Sequence, residues 1–164
     1  MAYYLSNERN QNVVEAYRRY QEYLRQHERE FPRNAFALAT AEWYQNPGDH
    51  RCPHDGSLGN LIISESADTN GSRAASIRTR LMGAYRDGYV EFFYPRVLAY
   101  VLESLSCSHG LGDWLYDEFR ISPNGNVIHE IEWSGSVNGK DCRWIIEASD
   151  VHFQWIQQPV ATTH

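Results

Sequence analysis

Residues 113–135 read DWLYDEFRISPNGNVIHEIEWSG, and this stretch decides the fold. Its centre carries turn chemistry. Pro123 and Asn124 suit the middle of a type I turn, and Gly125 suits the left-handed position that follows. Closing the turn at Ser122 and Asn126 sets Ile121 against Val127, Phe119 against His129 and Leu115 against Trp133. One face then holds Leu115, Phe119, Ile121, Val127, Ile131 and Trp133. Side chains alternate along a strand, so a one-residue slip would turn this set outward. The apolar agreement therefore predicts an antiparallel hairpin in this register.

Working outward, the texture stays that of strands. Asn138-Gly139 predicts a second hairpin, with Trp133 opposite Trp144 and Ile131 opposite Ile146. Val151, Phe153 and Trp155 alternate in a further strand. Upstream, LGNLIISES (58–66) and residues 74–85 read as strands joined by a loop over 67–73. Asp87-Gly88 predicts a two-residue turn into a strand from Tyr89. Pro95 cannot donate to a ladder, so that strand is an edge or is bulged there. Its tail, 96–105, fits either strand or helix. Residues 7–30 predict a helix capped by Ser6 or Asn7, with a stripe of Val13, Tyr17, Tyr20, Leu24 and His27. Pro32 ends it; Asn34 caps a second helix over 35–45, which Pro47 and Gly48 close. The fold expected is α+β: two N-terminal helices packed on a curved antiparallel meander of about six or seven strands. It forms one domain over 1–164, with a helical part at 1–47 and a sheet at 57–157.

The totals narrow the function. The net charge of -6 argues against a nucleic-acid binder and admits a basic protein partner. No run of about 18 apolar residues is present, so no membrane span is expected. The first residues, MAYYLSNERNQ, lack the basic and apolar regions of a secretory signal. With Cys52, Cys107 and Cys142 as an odd set at no framework spacing, a reduced cytoplasmic protein is expected.

Three constellations could carry chemistry. In HRCPHDGSLGN (50–60), extended backbone would turn His50, Cys52 and His54 to one side. Together with Cys107 and His109, His50 and Cys52 could build a tetrahedral zinc site, and a Cys107/His109 nucleophilic pair is a further option. The favoured reading has no cofactor: two polar loops, with Asp55 and His54 organising the turn before a strand. Second, Asp117 and His129 fall diagonally on the apolar face of the first hairpin. They read as a structural pair tying two strands, since half of a general-base arrangement lacks its nucleophile. Third, the opposite face sets Glu118 against Glu130 and Glu130 against Glu147, with Glu132 beside them. Trp114, Tyr116, Ile128 and Ile145 are interleaved, and Arg120 and Arg143 offset some of the charge. This reads as a solvated face or as an acidic, aromatic docking surface for a basic partner. A paired-carboxylate hydrolase is a third reading of the row.

HDGSLGNLIIS (54–64), the Asp87-Gly88 turn, and then GDWLYDEFRIS…VIHEIEWS resemble a class of small bacterial proteins with a His-Asp-x-x-Leu lead-in to an antiparallel sheet. Several of that class look like immunity proteins of polymorphic toxin systems. The resemblance covers roughly residues 50–155 and implies a cytosolic, acidic protein that works by binding. It carries no catalytic residue to His54 or Asp55. The expectation is a non-enzymatic binding protein that neutralises a basic toxin through Trp114, Tyr116, Glu118, Glu130, Glu132 and Glu147. The alternatives are a zinc domain or enzyme built on the two loops, and a small-ligand binder using the aromatic concave face of the sheet.

Overall fold

In the computed structural model the described residues are 3–67, 69–104 and 110–159. A short 3-10 turn (Asn7–Asn10) precedes α1 (Val13–Gln26) and α2 (Arg33–Ala39). Seven strands follow: β1 (Ser57–Ala67), β2 (Arg73–Met82), β3 (Gly88–Leu102), β4 (Trp114–Ile121), β5 (Val127–Val137), β6 (Lys140–Ala148) and β7 (His152–Gln157). The class is α+β, as the sequence predicts. The antiparallel order is β1-β2-β3-β6-β5-β4, with β7 also on β3. Two three-strand meanders are therefore joined where β3 meets β6. No helix of the described residues is long and apolar enough to cross a membrane.

β3 is the spine. Its first half, Gly88 to Phe93, pairs with β7, and its second half, Val97 to Leu102, pairs with β6. Pro95 lies at the break, where Arg96 takes a φ of 47°. The missing N–H of proline removes nothing from a ladder already interrupted. Its carbonyl accepts from Ser149 Oγ at 3.0 Å, in the matching gap between β6 and β7. The alternative left open for the tail resolves as strand through Leu102.

The β4–β5 hairpin forms in the expected register, with Ile121 opposite Val127 and Phe119 opposite His129. Ser122 N–H donates to the Asn126 carbonyl at 2.8 Å, and Gly125 has a φ of 76°. Three departures follow from irregularities in the ladders. A bulge at Leu115 puts Trp114, not Leu115, opposite Trp133, so Trp114 turns into the core. Asn138-Gly139 closes the β5–β6 turn, but the ladder then slips by two, setting Trp133 opposite Cys142 and Ile131 opposite Trp144. An even slip keeps every side chain on its face while replacing its neighbour, so Glu130 meets Ile145 and Glu147 meets Ile128. The slip arises where Ser134 and Gly135 leave the ladder: their N–H groups donate to the carbonyls of Asp113 and Leu111, each at 2.8 Å. The β2–β3 loop is longer than two residues. Gly83 N–H bonds the Gly88 carbonyl, and Arg86 takes the left-handed position at φ 58°. Gly88 serves packing instead: a Cβ there would lie 2.3 Å from the Trp155 ring.

The helices are shorter than the periodicity predicts. Asn12, not Ser6 or Asn7, caps α1, accepting from Glu15 N–H at 3.1 Å. α1 buries Ala16, Tyr20 and Leu24 while Val13 stays exposed. It lies along the outer edge of β4. There Tyr20 Oη accepts from Phe119 N–H at 2.7 Å and donates to the Phe119 carbonyl at 3.3 Å, and Tyr23 Oη accepts from Ile121 N–H at 2.9 Å. Two tyrosines thereby close that edge to further strands. The N-terminus of α2 is held from outside the helix, by Asp150, which accepts from Ala35 N–H at 2.9 Å and from Asn34 Nδ2 at 2.8 Å. Turns after α2 carry Tyr44 into the core.

The sheet curls until its two ends touch at one corner. Asp55 N–H donates to the Trp114 carbonyl, Trp114 N–H donates to the Gly56 carbonyl, each at 2.8 Å, and Ser57 bridges Asp113. Asp55 has a φ of 62° to make that turn. Inside the curl, Phe92, Tyr94, Trp114, Phe119, Ile131, Trp133 and Ile146 are fully buried.

Candidate functional site

The acidic row comes together on the outer face of β4 and β5, but it is not a solvated face. Glu118, Glu130 and Glu132 are 0%, 7% and 2% exposed. The expectation of open carboxylates is corrected by a segment far away in sequence. Residues 3–9 lie across the row, and the successive N–H groups of Tyr3, Tyr4 and Leu5 donate to Glu118 Oε2 at 3.0, 2.7 and 3.0 Å. Arg120 bonds both Glu118 and Glu130. Arg143 bonds Glu130 Oε1 at 2.8 Å and Glu132 Oε2 at 3.0 Å. Arg9 bonds Glu132 Oε1 at 2.8 Å and sits 4.3 Å over the Tyr116 ring. Three carboxylates thus face three guanidinium groups, and like-charge repulsion is replaced by a closed network. Burial by itself would raise the Glu130 carboxyl; the hydrogen bonds of Arg120 and Arg143 outweigh it and hold it below the usual range. Tyr116 is half-buried, with Tyr4 edge-on at 5.2 Å. Glu147 sits at the rim, half-buried and 3.4 Å from Asn126 Nδ2. Trp114 is on the other face and takes no part.

On the inner face, Asp117 and His129 do pair, with His129 Nε2 2.8 Å from Asp117 Oδ2. The pair belongs to a longer buried chain. Tyr44 Oη donates to Asp117 Oδ2 at 2.7 Å, Trp114 Nε1 donates to Oδ1 at 3.1 Å, and Tyr94 Oη lies 2.9 Å from His129 Nδ1. Phe119 stacks on the imidazole at 4.0 Å. Burial, then the charge of Asp117, push the hydroxyls of Tyr44 and Tyr94 well above the usual range, so they keep their protons as donors. Each Asp117 oxygen and each His129 nitrogen has a partner. The arrangement ties β3, β4, β5 and the segment after α2 together. Beside it lies a cavity of about 230 Å3, lined by Tyr4, Tyr44, Cys52, His54, Tyr116 and Asp117 among others. Sequence reading found Asp117 and His129 through period-two alternation. It missed Tyr44 and Tyr94, which come from other elements, and Trp114, which needed the bulge.

The loop at 50–55 does not converge on one point. His50 turns to the β2–β3 loop, with Nδ1 2.5 Å from Asp87 Oδ2 and its ring stacked on Tyr85 at 4.1 Å. Cys52 is buried, and its thiol donates to the Tyr44 carbonyl at 3.1 Å. His54 stands edge-on to Tyr116 at 5.5 Å, with Asp55 Oδ1 3.2 Å from its Nδ1. Asp55 shapes the turn through its backbone, by its left-handed φ and its N–H bond to Trp114. Cys107 and His109 lie outside the described residues. A site on His50 and Cys52 would require His50 to leave Asp87 and Cys52 to leave its buried bond. Among the described residues no three His, Cys, Asp or Glu side chains gather where they could hold a metal ion.

Burial pushes the Cys52 thiol up to about 11. At about pH 8 its thiolate fraction is then roughly one in a thousand, against roughly a quarter for a free cysteine. Alkylation of Cys52 by iodoacetamide, followed by peptide mass mapping, is expected to run roughly a hundredfold slower in the folded chain than in urea. Equal rates in the two states would contradict the buried thiol.

No family model matches the chain, and neither a curated protein nor a solved structure matches it.

Proposed function

We propose that the chain is a non-enzymatic cytoplasmic binding protein of the immunity type, which takes up a turned basic segment of a protein toxin on the acidic face of β4–β6. What supports this is the way that face holds residues 3–9: Glu118 takes three successive backbone N–H groups, and the guanidinium of Arg9 lies between Glu132 and Tyr116. The segment is a ligand in cis, and it displays the chemistry the face accepts. Residues 3–6 turn and lead into the 3-10 turn at Asn7–Asn10, so that consecutive N–H groups converge on one carboxylate oxygen. That oxygen reads a turned backbone, and one arginine reads the carboxylate and the ring beside it. A partner segment of that kind would displace it. The net charge of -6 would steer a basic partner in. In this reading Tyr116, Glu118, Glu130 and Glu132 make the contact, Glu147 lines the rim, and no cofactor takes part.

The test uses the full chain. Arg9→Ala loosens the segment without touching the face. A labelled synthetic peptide of residues 1–11 is titrated against this variant and the unaltered chain by fluorescence anisotropy. Binding is expected to be about tenfold tighter to Arg9→Ala, to weaken with salt, and to be displaced by an unrelated turn-forming peptide carrying arginines. Adding Glu132→Gln to Arg9→Ala is expected to remove it. Failure of arginine-bearing peptides to compete would leave the face as a seat for the chain's own N-terminus and end the proposal.

A further inference from the structure

Of the strands with one neighbour in the sheet, β1 and β4 are treated differently. The β4 edge is closed by Tyr20 and Tyr23. β1 has β2 on one side, and on the other, among the described residues, only the contact of Ser57 with Asp113 at its first residue. The rest of an 11-residue strand is left as an edge. Proteins usually blunt such an edge with lysine, proline or inward charge. β1 reads SLGNLIISESA, with Glu65 as its one charge. Its regular part begins after a bulge at Leu58–Asn60.

Ile62 and Ile63 are 49% and 41% exposed. They point to opposite faces: Ile62 pairs with Arg78, and Ile63 pairs with the fully buried Ile77. A partner lying on one face would cover one of them. A strand added beside β1 would flank both.

The sequence of the edge says which strand fits. Asn60, Leu61, Ile62, Ile63 and Ser64 are symmetric in character about Ile62. With a two-fold axis at Ile62, an antiparallel copy sets Ile62 against itself, Leu61 against Ile63, and Asn60 against Ser64. Glu65 then falls opposite Gly59 of the other copy, so no like charges meet. Moving the axis to Ile63 would set Leu61 against Glu65. The backbone agrees with the first register. The Asn60 carbonyl faces β2, accepting from Thr79 Oγ1 at 3.4 Å. Alternation then turns the N–H and C=O groups of Leu61 and Ile63 outward. With the axis at Ile62 these groups meet each other as hydrogen-bonded pairs.

We infer that two copies of this chain pair through β1, antiparallel about Ile62, and make one sheet continuous across both. The contact is about five residues long on each side. It therefore falls below the usual size of a stable interface, which places the association among weak, concentration-dependent ones. It stands apart from the acidic face and does not depend on what that face binds.

The experiment is sedimentation velocity on the full chain from about 10 µM to about 1 mM, the range where small interfaces associate. A monomer–dimer shift is expected. Ile63→Arg, an exposed substitution, is expected to weaken the dimer about tenfold or more while far-UV circular dichroism stays unchanged. Residues at a non-hydrogen-bonded cross-strand pair have Cβ atoms about 4.5–5.5 Å apart, close to disulfide reach. Ile62→Cys is therefore expected to form a covalent dimer under mild oxidation, with peptide mapping placing the bridge at position 62 of both copies. A monomer throughout the range would overturn the inference. So would a dimer that Ile63→Arg leaves intact, or a bridge formed through Cys52, Cys107 or Cys142 instead.

Discussion

Glu118→Ala is expected to destabilise the chain by about 3–5 kcal/mol, the usual range for removing one partner from a buried charge network. The carboxylate is fully buried and accepts from Tyr3, Tyr4, Leu5 and Arg120. Its removal strands three backbone donors and takes from Arg120 one of its two carboxylates. Urea unfolding followed by circular dichroism measures the loss. Limited trypsin digestion supplies a local readout, because the freed segment should be cut after Arg9 before the rest of the chain is attacked. A loss under about 1 kcal/mol would mean that the segment and the row are not coupled. The same network predicts acid sensitivity. The Glu130 carboxyl is held below its unfolded value, so its contribution is complete above that unfolded value and is lost as pH falls through the folded one.

The second large effect lies on the inner face. Asp117→Ala removes the acceptor of Tyr44 Oη, Trp114 Nε1 and the His129 ring, all deeply buried. Each buried donor left alone costs about 1–3 kcal/mol, so a total of about 3 kcal/mol or more is expected. The sharper readout is a double-mutant cycle. Tyr44→Phe removes a donor that Asp117→Ala would otherwise leave alone, so the double variant should lose less than the sum of the singles, by about 0.5–3 kcal/mol. Additivity within about 0.3 kcal/mol would show that the tyrosine and the carboxylate are energetically separate.

Much of the sheet was legible because its signals are local. The Ser122–Asn126 turn could be read from five residues, and alternation carried its register along β4 and β5 as far as the bulge at Leu115. The pairing of Asp117 with His129 follows from that register alone. What could not be read depends on residues distant in sequence or on an inserted residue. A bulge leaves composition and periodicity on either side unchanged, so nothing announced that Trp114 would replace Leu115 inside. The two-residue slip in β5–β6 has its cause in the carbonyls of Leu111 and Asp113. The acidic row illustrates the general limit. Alternation correctly placed Glu118, Glu130 and Glu132 on one face, but their exposure was decided by residues 3–9, more than a hundred positions away. Asp150 at the start of α2 and Tyr44 beneath Asp117 were hidden for the same reason.

The reach of those contacts also governs how the chain comes to be folded. Tyr3, Tyr4 and Leu5 wait for Glu118, α1 waits for Phe119, and the spine strand β3 is not flanked along its whole length until Phe153 and Trp155 have been made. The first fifty residues therefore leave the ribosome with almost nothing of their own to fold against. Assembly of this kind, dominated by non-local pairing, runs in about milliseconds to seconds rather than microseconds. During that interval the β1–β2 ribbon is the first local hairpin of the chain to be complete, with its isoleucines uncovered.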